Sequence, residues 1–222
     1  MEDGGRRAGG RRAEAARNDE RVLRAAREVL GMTPDAPLAL VARRAQVGIG
    51  SLYRRYPSRE ALVARTCLEG VLELEATARV ALDRVRRFPQ AAFVGFLTGA
   101  LADGSAPLIV GLAGTFSPDR ELLAASERLQ RAVRDLVESV QAAGALRPDV
   151  TAEDLVLLFQ QLRAIRHDDP QRELTLRRRC LQLVLQAFHA GGAASLPGPA
   201  PDWQDLRAST VSGEAPRSSA DA

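Results

Sequence analysis

The densest chemistry in this chain lies between Val41 and Leu62, in VARRAQVGIGSLYRRYPSREAL. Five arginines (Arg43, Arg44, Arg54, Arg55, Arg59), two tyrosines and two glycines crowd together there, with no acid before Glu60. A guanidinium is a planar fork of donors that matches phosphate oxygens and guanine edges. The hydroxyls of Ser51, Tyr53 and Tyr56 can donate to phosphate oxygens. Gly48 and Gly50 carry no side chain, so the backbone can come close to a partner. Residues 36–59 hold five Arg and no Asp or Glu, and such a patch gains from counterion release when it meets a polyphosphate. The competing reading is a solvated basic face on an ordinary helical hairpin, and the order of residue types argues against it.

No other cluster competes. His167 stands beside Asp168 and Asp169 in a predicted turn, without a second histidine at ligand spacing. His189 falls at the predicted end of a helix, where a cation is favourable. Cys67 and Cys180 form no CxxC pair and read as small buried hydrophobes. There is no nucleophile–base set, no phosphate-cradling glycine loop and no metal cluster. Catalytic residues, metal and cofactor are therefore all expected to be none.

The elements that position the basic cluster follow from periodicity. Apolar residues make up 45% and aromatics only 4%, so the core is built from Leu, Val and Ala. Leu and Ala favour helix, no segment alternates at period two, and the fold class is read as all-α. Val22, Ala25, Ala26, Val29 and Leu30 mark a first helix, with Asn18 as its N-cap and Gly31 and Pro34 at its end. Leu38, Val41, Ala42 and Ala45 mark a short second helix. Ile49, Leu52, Tyr53 and Tyr56 mark a third, stopped by Pro57. Ser58 caps a long fourth running to about Arg87. Later helices are expected from Pro118–Asp119 to about Ala143, from Ala152 to about Ile165, with Thr151 and Asp154 as its cap, and from Arg172 to about His189. The segment ADGSAPLIVGLAG reads as flexible rather than helical.

Charge divides the chain as well. All 31 basic residues are arginine, as a GC-rich coding sequence would give. Residues 1–60 hold 13 Arg against 8 acids, whereas residues 61–222 hold 18 against 20, so a polyanionic partner is expected for the first part only. Residues 1–17 read as a disordered basic arm, and residues 191–222, rich in Pro, Gly, Ser and Ala, as a disordered tail in which Trp203 and Leu206 form an apolar pair able to dock. The N-terminus carries no secretory signal pattern and no apolar run reaches a membrane span. The expectation is a cytoplasmic protein with no membrane partner.

Two short helices joined by a tight turn and preceded by a third make a helix-turn-helix. Its second member, residues 49–56, would enter the major groove of duplex DNA. The residues here are specific: Val41-Ala42, Ala45-Gln46-Val47, Gly48, then Ile49-Gly50-Ser51-Leu52-Tyr53-Arg54-Arg55-Tyr56-Pro57-Ser58-Arg59-Glu60-Ala61-Leu62. Over residues 18–62 the chain resembles the DNA-binding domain of the tetracycline-repressor (TetR) family of bacterial transcriptional regulators. The resemblance implies that Ile49, Gly50, Ser51 and Arg54 lie at base edges and that Tyr53, Arg55 and Arg59 grip the backbone, with Arg43, Arg44, Gly48 and Tyr56 completing the DNA-binding set. Four residues depart from the family pattern. Gln46 stands at the turn glycine; if that position needs a left-handed backbone, Gln is strained there by about 1 kcal/mol, and otherwise the turn differs slightly. Gly48 replaces a Ser or Thr cap, Arg55 a frequent His and Tyr56 a frequent Phe.

Residues 63–190 resemble the family only in length and helical layout, and are expected to form a ligand-binding and dimerisation domain. Phe93, Phe96, Leu97, Phe116, Phe159 and Leu162 are candidate pocket walls, and Gly95, Gly99, Gly111 and Gly114 leave space. The last two helices are the candidates for pairing with a second copy, through Leu155, Leu158, Leu181, Val184, Leu185 and Phe188. Packing within one subunit explains the same residues. The reading is a homodimeric, ligand-responsive repressor released from a double-stranded DNA operator by a small molecule. The alternative is a helical small-molecule-binding or interaction protein with a vestigial DNA-binding head.

Overall fold

The computed structural model describes residues 3–33, 35–112, 116–189 and 195–206. Pro34, Gly114 and the chain beyond Leu206 lie outside the described residues. Among the described residues nine helices run in order: α1 Asp3–Met32, α2 Leu38–Ala45, α3 Ile49–Arg55, α4 Arg59–Val85, α5 Pro89–Ala102, α6 Ser105–Leu112, α7 Arg120–Ala142, α8 Ala152–Ala164 and α9 Pro170–Ala187. A single further turn spans residues 203–206. Among the described residues there is no strand, so the all-α class holds.

Helix boundaries follow local chemistry. The Ser58 side chain accepts the Ala61 N–H at 3.1 Å and starts α4. Asp119 does the same for α7, accepting from Leu122 at 2.8 Å. Thr151 and Asp154 form a reciprocal capping box at α8, which satisfies two donors that a helix start otherwise leaves open. Pro89 and Pro170 occupy first-turn positions of α5 and α9, where a missing N–H is harmless.

Two cores share one shaft. The first gathers the inward faces of α1, α2 and α3 with Leu62, Val63, Cys67, Leu68 and Val71 of α4. The second begins one turn further along α4 at Leu74 and gathers α5, the C-terminal half of α7, α8 and α9. Helix α6 touches both: Leu108 and Leu112 are buried in the first core, Ala106 in the second, and Ile109 packs against each. Leu108 lies against Gly31 of α1 and Ile109 against Gly70 of α4, so near that a methyl on either glycine would stand 3.8 or 3.7 Å away.

Three expectations about order are corrected. Residues 3–17 continue α1 instead of forming a disordered arm, because Ala, Arg and Glu are strong enough helix formers to carry the glycines. Asn18 consequently lies inside the helix, where its Oδ1 accepts from Arg21. The segment expected to be flexible forms α6, since its apolar side chains reach both cores. Residues 195–206 are not structureless either. Leu206 is 4% exposed, and the turn that carries it lies against the body.

Candidate nucleic-acid interface and cavity

Helix α3 shows two faces. Leu52 and Tyr56, one turn apart, are buried in the first core. On the other side Ile49 (43% exposed) and Tyr53 (49%) stand in solvent, with Gly50, Ser51 and Arg54 also exposed. Ile49 and Tyr53 make an exposed apolar step beside Gly50 and Arg54, which share the same i, i+4 register. A Cβ at Gly50 would meet only Arg54 Nη1, at 3.9 Å, and Gly50 is not among the residues of positive φ. The fold itself does not require glycine there.

The turn before α3 needs a left-handed residue and the sequence supplies Gln46, at φ 56° and ψ 43°. It is the one non-glycine residue of positive φ among those described. That conformation lets the Val47 N–H reach Ala42 O at 3.0 Å, closing α2 and aiming α3. Gly48 follows as N-cap without a side-chain bond.

The arginines divide by partner. Arg43 and Arg54 are exposed and have no acidic partner among the described residues. Arg44 pairs with Glu28 at 2.5 Å, both half-exposed, an arrangement worth at most about 1 kcal/mol. Arg55 donates from Nε and Nη2 to Asp19 of α1 at 3.1 and 3.0 Å. Arg59 donates to Ala36 O at 2.7 Å. Tyr56 is corrected as a phosphate donor: it is 5% exposed and its hydroxyl donates to Asp19 Oδ1 at 2.5 Å. The hydrogen bond from Arg55 holds the Asp19 carboxyl below its usual range. Burial, with Asp19 second, pushes the Tyr56 phenol up.

Asp19 is the residue that sequence reading missed. It sits three and seven residues before Val22 and Ala26, both buried. An acid on the stripe where the helix should be apolar was the available signal.

A partly open cavity of about 510 Å³ lies beside the second core, with Val71 and Phe116 from the first core and Trp203 and Leu206 in its wall, within the roughly 300–1,000 Å³ typical of small-molecule sites. Phe96, Phe116 and Phe159 line it, as expected. Phe93, Leu97 and Leu162 do not; they are buried core, with Phe93 against Phe188 at 6.5 Å between ring centres. Leu155, expected at a dimer interface, lines the cavity instead. Leu158, Leu181 and Leu185 are buried within the single chain, with Val184 and Phe188 packed against them. Leu155, Leu158, Leu181 and Leu185 are thus covered by this protomer's own core, while Val184 and Phe188 stay partly exposed. Leu183, at 60%, is the large apolar residue that α9 leaves exposed.

Other candidates resolve as structure. His167 donates its backbone N–H to Glu173 and its Nδ1 accepts from the Asp169 amide at 3.0 Å. The Cys67 thiol is pushed up to about 12 by burial, a poor nucleophile. Among the described residues no group of three or more His, Cys, Asp or Glu could hold a metal. No single described helix is long and apolar enough to cross a membrane; α5 and α6 together reach that length but are bent by 64°.

Comparison with known proteins agrees with this geometry. Residues 88–190 match the C-terminal domain family of SbtR-like transcriptional regulators of the TetR type. The fold is similar to that of LfrR, a TetR-like regulator from Mycobacterium smegmatis solved in complex with proflavine, with 22% identity, TM-score 0.61, and coverage of 82% of this chain and 99% of that one. It is also similar to a TetR regulatory protein from Mycobacterium vanbaalenii, with 24% identity, TM-score 0.53, and coverage of 80% and 98%. A third similar structure is the TetR regulator SCO0520 from Streptomyces coelicolor, with 24% identity, TM-score 0.50, and coverage of 78% and 99%. Comparison with curated proteins gives no match. The family match covers residues 88–190, and over about four-fifths of the chain the fold, with its helix-turn-helix head ahead of that domain, is the one these TetR-type regulators share.

Proposed function

We propose that the protein is a homodimeric repressor that holds duplex DNA through α3 and releases it when a small molecule fills the cavity. The observation that carries the DNA half is the outward face of α3. Ile49, Gly50, Ser51, Tyr53 and Arg54 stand in solvent on a helix whose other face is locked into a core. Arg54 and Ser51 offer donors to bases or phosphates, Ile49 offers an apolar contact to a thymine methyl, and Gly50 permits close approach. Arg43 and Arg44, at the end of α2, would reach flanking phosphates. Arg55, Arg59 and Tyr56 act mainly by fixing the pose of α3.

Two copies would place two recognition helices about one DNA turn apart, roughly 34–36 Å. The solvent side of α8 and α9 is the natural pairing face, with Leu183 on α9 and the half-buried Leu157 on α8. Ligand coupling runs through α6. Ile109 lines the cavity and leans on Gly70 of α4, while its neighbour Leu108 leans on Gly31 of α1. A ligand that displaces Ile109 therefore strains the seat of the head. It acts only insofar as it binds the released and DNA-bound arrangements unequally.

Titration of labelled duplex DNA from the region upstream of the coding sequence, followed by anisotropy at low salt, tests the reading. Saturable, salt-sensitive binding is expected. A second reading, a helical ligand-binding protein with a vestigial head, draws on the internal engagement of Arg44, Arg55, Tyr56 and Arg59. It predicts ligand-dependent thermal stabilisation with no DNA affinity at any salt concentration.

A further inference from the structure

After α9 the chain returns at residues 195–206, a strap that lies beyond the matched domain of residues 88–190. The Leu196 N–H donates to Asp149 Oδ2 at 2.9 Å, and Asp149 is held in turn by Arg147, Nη2 to Oδ2 at 2.8 Å. The loop between α7 and α8 is therefore a point of attachment for the strap. Further along, Asp202 builds a turn. Its Oδ1 accepts from the Gln204 and Asp205 amides at 2.6 and 2.9 Å, and its own N–H donates to Asp205 Oδ2 at 2.9 Å. The turn spaces Trp203 and Leu206 three residues apart, and both belong to the cavity wall. Leu206 is buried, so the end of the strap is packed against the body.

With the strap in place the cavity keeps about 510 Å³, which is room for a small molecule. The strap is thus a wall and not a plug. Among the described residues, none that lines the cavity is charged. A molecule there is held by apolar burial, in proportion to the surface kept from water. Lifting the strap would return one side of that molecule to solvent. The coupling is reciprocal: a molecule that touches Trp203 and Leu206 adds contacts that hold the strap down.

We infer that residues 195–206 are part of the ligand site, and that docking of the strap and filling of the cavity by an apolar molecule favour each other. The inference rests on the reading of the cavity as the effector site, and it adds to that site a segment that the matched domain does not contain. Asp149 is a positioning residue in it, acting on the ligand through the strap.

Trp203 is the one tryptophan in the chain, so its emission reports on the strap. The probes are N-phenyl-1-naphthylamine, whose own emission gives its affinity, and 1-decanol, which displaces it and is transparent where indole absorbs. In the full chain, Trp203→Ser with Leu206→Ser keeps the helical circular dichroism and weakens N-phenyl-1-naphthylamine about tenfold. Leu206→Ser alone weakens it in the same direction by less. Asp149→Ala raises acrylamide quenching of Trp203 in the empty protein and weakens the probe. Saturating 1-decanol lowers that quenching in wild type and in Asp149→Ala, a reversal that a purely structural role for Asp149 does not give. Unchanged probe affinity in the double variant, tighter binding there, no probe binding to the full chain, or quenching that 1-decanol leaves unmoved overturns the inference. Duplex-DNA anisotropy separates its failure from that of the repressor reading. Strap-dependent probe binding in a protein that holds no DNA sinks the repressor and leaves the strap; DNA binding with a strap-independent cavity does the reverse.

Discussion

The outward face of α3 and the wall of the cavity are opposite solutions to recognition. The first is drawn from residues within a dozen positions of one another, is charged and polar, and stands in solvent. The second is drawn from Val71 to Leu206, is uncharged, and is built from residues of both cores and the C-terminal turn. A groove-reading surface can be local because one short helix presents it, and its scaffold needs only to fix that helix. An enclosing wall cannot be local, because at least three elements must surround the ligand. The head accordingly depends on single positions such as Gln46, which aims α3, and Asp19, which holds Arg55 and Tyr56.

The largest expected effect breaks the head and spares the body. Arg43→Glu with Arg54→Glu removes two exposed cations that hold no acidic partner, and should weaken duplex binding by about a hundredfold or more, with an unchanged melting temperature and unchanged cavity binding. Charge reversal at Arg55 or Arg59 is a poorer test, because each also holds the fold through Asp19 or Ala36.

Asp19→Ala sharpens the comparison by attacking the scaffold alone. It strips the Tyr56 hydroxyl and Arg55 of their acceptor, and should cost about 1–2 kcal/mol in chemical denaturation together with weaker DNA binding. The folded carboxyl lies below the ordinary aspartate value of 3.8, chiefly because Arg55 hydrogen-bonds to it. Its contribution should therefore be complete above that pH and disappear as pH falls through the lower folded value. Denaturation of wild type and Asp19→Asn across pH 2–7 reads this out as a gap that closes in acid.

Gln46→Gly relieves a left-handed residue and should stabilise the protein by about 1 kcal/mol, seen as a higher denaturation midpoint with DNA binding retained. The smallest stability change belongs to Gly50→Ala. It should gain about 0.5 kcal/mol or a little more by helix propensity, yet lose DNA affinity, because the added methyl meets nothing in the protein and only a partner can object. Opposite signs in melting temperature and anisotropy are the check.

Much of the head was legible in the sequence and much of the body was not. Ser58, Thr151 and Asp154 announced their caps because capping is decided within three residues. The spacing of Leu52 and Tyr56 fixed which face of α3 turns inward, although Tyr56 was also credited with a phosphate contact that its burial forbids. Leu155, Leu181 and Leu185 show the opposite limit. Helical spacing says that such residues are buried, and is silent on whether their cover comes from the same chain, a second copy or a ligand. Phe93 and Phe96 lie three residues apart, and only the second lines the cavity. Trp203 and Leu206 were recognised as an apolar pair able to dock, but their destination depends on the strap's anchor at Asp149, 47 positions away from Leu196.

The central claim, that α3 presents a duplex-reading face, is tested most directly by equilibrium titration of upstream duplex DNA at a series of salt concentrations. The account predicts tight binding at low salt, with log K falling linearly against log salt by about 0.9 per phosphate neutralised, and a shallower slope for the Arg43→Glu, Arg54→Glu variant. Absence of binding at the lowest salt, or an affinity that neither salt nor the double variant changes, would contradict it.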